Sequence, residues 1–156
     1  MGKIYARHFA TLLFTYVNRE SDRKLIEHDG YITVGDIGYL DDERYLYVSD
    51  RRTDLVLSGG VNIYPAEIEH ALIGMPGVAD CAVFGVPDAE FGQSLVAAVQ
   101  TQDGQSLTAQ QVRDFLSKKL ANFKVPRLVE FRNTLPREDT GKIFKRLLQE
   151  QHVMRR

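Results

Sequence analysis

Apolar and polar positions alternate in short runs through the N-terminal part of the chain, and helical spacing appears later. KIYARHF, YITVGDIGYL and DERYLYVSD each have strand character, with Gly and Asp turns between them. Among these, SDRKLIEHDG (21–30) predicts a short helix with Ser21 as N-cap and Gly30 just past its end. Two β-rich runs flank Gly59-Gly60 in LVLSGGVNIY (55–64), the pattern of a tight hairpin. PAEIEHALIG (65–74) predicts a helix started by Pro65, with acidic Glu67 and Glu69 near its positive end. Its buried stripe is Ile68, Ala71 and Leu72, and Gly74 closes it.

Further on, VADCAVFGV (78–86) and SLVAAVQT (94–101) are too short and too β-branched for helices and read as paired strands. SLTAQQVRDFLSKKL contains a T-x-x-Q capping box at Thr108 and Gln111, and turns Val112, Phe115 and Leu116 inward. RLVEF (127–131) predicts a third strand. A last helix is expected from near Thr140, packed through Ile143, Phe144, Leu147 and Leu148. Hairpin, helix, strand, strand, helix, strand, helix describes an α+β domain with helices on a small sheet.

A length of 156 residues allows one ordinary domain, or a small domain with part of another. With 44% hydrophobic and 26% charged residues, the composition is that of a soluble globular protein with a core. No apolar run approaches the roughly 18 residues of a membrane span, and the N-terminus lacks a secretory layout. One cysteine, Cys81, excludes an internal disulfide and suggests a reducing cytoplasm. The four histidines are scattered, so no zinc site or catalytic triad is predicted. Net charge is −1 but uneven: residues 113–146 carry ten Lys/Arg against four Asp/Glu. Solvated helix faces account for this, as does a surface that attracts phosphate-bearing small molecules. Without an aromatic-rich basic motif, nucleic acid is not an expected partner.

Gly141-Lys142 in LPREDTGKIFK suggests phosphate chemistry. A Walker loop needs glycine five positions before Gly141 and Ser or Thr after the lysine. Pro136 and Ile143 stand there, so that reading fails. What remains is a Thr-Gly turn delivering Lys142 to a helix N-terminus, where an anion would be favoured. An exposed surface lysine explains the local residues as well. Asp36, between two glycines in VGDIGYL, fits a turn aspartate or a carboxylate offered to sugar hydroxyls. SDRRTD (49–54) is either a solvated linker or the source of an arginine for phosphate or ribose.

Taken together, GDIGYLDDERYLYVSDRRTDLVLSGGVNIYPAEIEHAL, GVPDAEFGQ and KVPRLVEFRNTLPREDTGKIFKRLL resemble the C-terminal part of the AMP-forming acyl-CoA synthetases. These belong to the adenylate-forming superfamily with luciferases and peptide-synthetase adenylation domains. The resemblance implies a small C-terminal lid with a β-hairpin and a three-stranded sheet, preceded by a β-rich remnant of a large N-terminal domain. Residues 1–50 would be the tail of that adenylation domain, 51–54 a hinge, 55–150 the lid and 151–156 a tail. It implies a carboxylic acid, ATP with Mg2+, and coenzyme A as substrates, reached through the N-terminal domain. Asp36 is similar to the family's ribose-binding aspartate, Arg51 to its nucleotide-contacting arginine, and Lys142 to its adenylation lysine. Ser58, Gly59 and Gly60 match the hairpin that replaces the lysine when CoA attacks, and Thr53 falls at the hinge.

Two positions depart from the family pattern. Thr53 stands where relatives usually carry Asp or Lys, and Val34 where a threonine usually precedes Gly-Asp. Nothing in the chain resembles the family's Ser/Thr/Gly-rich phosphate loop, so a piece of a longer enzyme, inactive alone, is expected. Two alternatives stay open: an adenylating domain that passes its acyl group to a carrier protein, and a non-catalytic module of the same fold.

Overall fold

The computed structural model describes residues 2–7, 20–51 and 54–154. The chain divides into two units, Met1–Thr53 and Asp54–Arg156. In the first lie β1 (Gly2–Lys3), α1 (Glu20–Ile26), β2 (Glu27–His28), β3 (Tyr31–Ile32), β4 (Asp36–Leu40) and β5 (Leu46–Arg51). β1, β4 and β5 form one sheet in that order, and β2 pairs with β3. The short helix differs from expectation at both ends. Ser21 lies inside α1, and Gly30 belongs to the β2–β3 turn, where Asp29 and Gly30 have φ of 50° and 77°. An Asp-Gly pair with both φ values positive is the two-residue hairpin signal, and here it wins over helix continuation. Of KIYARHF (3–9), His8 and Phe9 lie outside the described residues, and the rest contributes Lys3 to β1 and an isolated bridge from Ala6 to Ile32.

The second unit contains β6 (Val56–Ser58), β7 (Val61–Ile63), α2 (Pro65–Ile73), β8 (Val78–Asp88), β9 (Gly92–Thr101), α3 (Ala109–Ser117), a 3-10 turn (Asn122–Lys124), β10 (Leu128–Phe131) and α4 (Lys145–Met154). Sheet order is β10-β9-β8. β8 and β9 pair antiparallel, whereas β9 and β10 run parallel, so α3 travels in the crossover between them. Both long strands extend further into GVPDAEFGQ than their apolar runs predict. Pro87 fits within β8 because that strand lies at the sheet edge. The predicted capping box is formed: Thr108 Oγ1 accepts the Gln111 N–H and the Gln111 side chain accepts the Thr108 N–H.

Each sheet face has its own core. One gathers Val83, Leu95, Ala97 and Val99 with Ile68 and Leu72 of α2, Val112 and Leu116 of α3, and Val56 and Ile63 of the hairpin. The other gathers Ala82, Phe84, Val96 and Ala98 with Leu135, Ile143 and Leu148. Each fully buried Leu, Ile or Phe contributes roughly 1.5–3 kcal/mol. A bulge in β8 shifts register between Val78 and Asp80. It puts Val78 in the same core as Cys81, and Asp80 on the opposite side, in phase with Ala82.

The last helix begins later than expected, at Lys145 rather than near Thr140. Residues 135–144 are held in a hairpin first, with Arg137 bridged to Ile143 and the Phe144 N–H bonded to the Pro136 carbonyl at 2.8 Å. Among the described residues, no helix is long and apolar enough to cross a membrane.

Candidate functional site

The predicted site residues fall in both units. In the first, Asp36 opens β4, partly buried, and is the register partner of Arg51 at the end of β5. A register shift between Ile37 and Gly38 lies just beyond this pair. The backbone ladder thus brings together the two residues singled out for nucleotide binding. Arg51 enters here by its backbone position, and Thr53 lies outside the described residues.

In the second unit, Ser58 pairs with Val61, leaving Gly59-Gly60 as a two-residue turn. Their φ values of 55° and 79° are those a tight hairpin of this length requires, and glycine adopts them without strain. This turn is tied to the β8–β9 connection. The Gly59 N–H donates to the Phe91 carbonyl at 2.9 Å, and the Leu57 N–H donates to Gln93 Oε1 at 2.8 Å. A Cβ at Gly59 would stand 3.1 Å from the Phe91 ring, while at Gly60 the space is open. The Arg127 guanidinium lies over the other part of this support, 4.2 Å from the Phe91 ring centroid. Phe91 and Gln93 belong to GVPDAEFGQ, a motif visible in the sequence whose support of the hairpin was not.

Lys142 is exposed and precedes α4 by a short connection. It stands before the first helical turn, which opens at Lys145 rather than near Thr140. Two of the first N–H groups of α4 already have partners. The Lys145 N–H donates to Ile143 and the Leu147 N–H to Phe144. Lys142 instead follows a three-residue loop, Asp139–Gly141. The Glu138 N–H donates to the Lys142 carbonyl and the Gly141 N–H to the Glu138 carbonyl, both at 2.8 Å. Gly141 takes φ of 83°, the left-handed position with which such loops end. Arg137 reaches across, its Nη1 donating to the Gly141 carbonyl at 2.6 Å and its Nη2 pairing with Asp80. The sequence has no local signal for that last contact.

Beside this loop, side chains from two helices cover the free edge of β8. Glu69 Oε1 accepts the Val83 N–H at 2.6 Å, and Gln149 donates to the Gly85 carbonyl at 3.0 Å. Lys145 Nζ pairs with Glu69 at 2.9 Å and stands 3.8 Å from Asp54. Burial pushes the Cys81 thiol up to about 12, and the negative charges of Glu69 and Asp80 add to it against the opposing Lys145. Cys81 is therefore a core thiol without nucleophilic character at neutral pH. Among the described residues, no group of three or more His, Cys, Asp or Glu side chains gathers as metal ligands would.

Residues 67–142, from α2 through Lys142, match the AMP-binding enzyme C-terminal domain. The chain carries an AMP-binding enzyme C-terminal domain. Its homologues are acyl-CoA ligases of the adenylate-forming superfamily, matched over their C-terminal part. It is 43% identical over 141 residues to the long-chain-fatty-acid–CoA ligase FadD13 of Mycobacterium tuberculosis, covering 90% of this chain and 28% of that protein. The fold is similar to the crystal structure of ATP-bound MatB from Rhodopseudomonas palustris, with a TM-score of 0.84 and 38% identity, covering 88% of this chain and 28% of that one. It is also similar to the amide bond synthetase McbA from Marinactinospora thermotolerans, with a TM-score of 0.86 and 29% identity, covering 96% of this chain and 31% of that one. The chain thus spans about 28% of the length of the ligases it matches. In this AMP-binding C-terminal domain, α2 opens the matched stretch and the Lys142 loop ends it.

Proposed function

We propose that the chain supplies the mobile C-terminal part of an ATP-dependent, AMP-forming acyl-CoA ligase. The observation that carries this reading is the 43% identity to a CoA ligase over 141 residues. The reaction has two halves. A carboxylate oxygen attacks the α-phosphorus of ATP, forming an acyl-adenylate and releasing pyrophosphate. The CoA thiol then attacks the acyl carbon, forming the thioester and releasing AMP.

In the first half, two negatively charged groups must approach. Lys142, on an exposed loop with an anchored base, supplies an ammonium that stabilises the charge gathering at the phosphate and orients both partners. Asp36 accepts hydrogen bonds from the ribose hydroxyls and Arg51 faces the nucleotide's ribose and phosphates. In the second half, Thr53 lies in the hinge about which the lid turns. The Ser58–Gly60 hairpin then takes the place of Lys142, and its bare backbone lets the pantetheine arm pass closely. Mg2+ accompanies ATP as its counter-ion.

The test uses the full-length protein that contains this chain. Lys142→Ala should slow pyrophosphate exchange severely while transfer of a supplied acyl-adenylate to CoA stays largely intact. Equal loss in both halves would remove the lid role. The chain by itself should form no acyl-adenylate, and turnover that tracks it across a panel of fatty and aromatic acids would overturn that.

A second reading has an observation behind it, the similarity to an amide bond synthetase. On that reading the adenylate passes to an acceptor other than CoA, such as an amine or a carrier-protein thiol. AMP release that needs no CoA in the full-length protein would favour it.

A further inference from the structure

The loop that bears Lys142 is anchored at its base and turns at Gly141. Leu135 and Ile143 anchor the two arms in the sheet's second core, and the Arg137–Ile143 bridge joins them. Beyond it the tip depends on Gly141, whose φ is 83° and around which a Cβ would meet nothing within 4 Å. Glycine is the residue with most backbone freedom, so the direction of Lys142 depends on the bonds that restrain Gly141. The Gly141 carbonyl belongs to the same planar peptide as the Lys142 nitrogen. A bond to that oxygen therefore fixes the plane from which Lys142 departs.

We propose that Arg137 is a positioning residue for Lys142, locking the Gly141–Lys142 peptide by bridging the Gly141 carbonyl to Asp80. This rests on the adenylation role proposed for Lys142. One arm of the guanidinium donates to the Gly141 carbonyl at 2.6 Å while the other pairs with Asp80. Asp80 is held in turn: its Oδ1 accepts the Cys81 N–H at 2.8 Å. The β8 bulge sets Asp80 in phase with Ala82, on the side where the Lys142 hairpin packs. A planar, forked donor suits this span, which a lysine's single ammonium at the end of a flexible stem does not reproduce. The Arg137 side chain is 50% exposed, so the ion pair contributes little to stability. Its consequence is orientation, and reaction rates are sensitive to orientation on the scale of an ångström.

The experiment compares Arg137→Gln, Arg137→Lys, Asp80→Asn and Lys142→Ala in the full-length protein. Pyrophosphate exchange reports adenylation, and transfer from supplied acyl-adenylate to CoA reports the second half. Arg137→Gln and Asp80→Asn should each lower kcat for adenylation about tenfold, with KM for ATP changed less than about twofold. Transfer to CoA should be unchanged, and Arg137→Lys should not restore adenylation. Asp80→Asn keeps an acceptor for Cys81, so it carries the test if Arg137 variants fold poorly. Adenylation at the parent rate in both variants, with Lys142→Ala impaired, overturns the positioning role alone. Equal losses in both half-reactions also overturn it, because they report a structural defect. Intact adenylation in Lys142→Ala instead removes the lysine's own role, and that of Arg137 with it.

Discussion

Glu69 Oε1 accepts the Val83 N–H at 2.6 Å, so a carboxylate on α2 closes a ladder position that the sheet leaves open. The same oxygen pairs with Lys145 Nζ at 2.9 Å, at the first residue of α4. One side chain thereby joins both helices to the free edge of β8, a position that otherwise invites pairing with another chain. Glu69→Leu leaves the Val83 N–H without its acceptor and should cost about 2 kcal/mol. Glu69→Gln keeps an amide oxygen for Val83 and should cost about 1 kcal/mol. Urea unfolding followed by circular dichroism checks this as a fall in midpoint at constant slope. A Glu69→Gln loss as large as that of Glu69→Leu would assign the effect to the ion pair instead.

Gly59 and Gly60 share a backbone requirement and differ in surroundings. An alanine at either position adopts a left-handed conformation at roughly 1–2 kcal/mol. At Gly59 the new methyl also stands 3.1 Å from the Phe91 ring, whereas Gly60 faces open space. Gly59→Ala should therefore destabilise more than Gly60→Ala in thermal unfolding. Gly60→Asn, a residue that tolerates positive φ, should leave folding nearly unchanged. In the full-length protein, however, its side chain would obstruct the proposed thiol path. Transfer to CoA should fall while adenylation persists, and unaffected transfer would leave these glycines as turn formers only.

The structure separates what local residues determine from what distant ones do. The Thr108–Gln111 box and the Pro65 helix start are legible because their interactions close within a few residues. Gly59-Gly60 is legible because the turns of two-residue hairpins need positive φ, which glycine supplies without strain. The late start of α4 is not. Its first apolar residues, Ile143 and Phe144, fit helical spacing but are held by Arg137 and Pro136 across the loop. The Asp80–Arg137 contact spans 57 positions and depends on a bulge that no sequence pattern announces. Asp36 and Arg51 could be singled out only through family resemblance, since each alone resembles ordinary turn and linker chemistry. Their adjacency is a property of β4–β5 register.

Cys81 should be chemically silent in the folded chain. Its thiol is buried and pushed up to about 12, so at pH 8 the thiolate is roughly one part in ten thousand. Titration with a disulfide reagent should detect no free thiol in native buffer and one equivalent in denaturant. Rapid native labelling would show that the β8 edge opens readily despite its cover by α2 and α4.

The contact between β10 and α4 should make stability depend on acid. Glu130 accepts hydrogen bonds from Arg132 at 2.7 Å and from His152 Nδ1 at 2.5 Å, and Gln151 accepts from Arg132 at 2.7 Å. Burial by itself would raise the Glu130 carboxyl, but the Arg132 and His152 bonds outweigh it and hold the group below its ordinary value. A carboxyl whose value is lower folded than unfolded binds fewer protons when folded. Its stabilisation is complete above the unfolded value, about 4.3, and is lost as pH falls through the folded one. Glu130→Gln should therefore cost about 2 kcal/mol at pH 7, where Arg132 and the buried His152 lose their anionic partner. It should cost progressively less as pH falls below about 4, because protonation removes the same charge from the parent chain. Urea midpoints of both proteins between pH 7 and 3 measure the difference, which should narrow toward acid. A constant gap across that range would mean that Glu130 holds α4 by shape and neutral hydrogen bonding rather than by its charge.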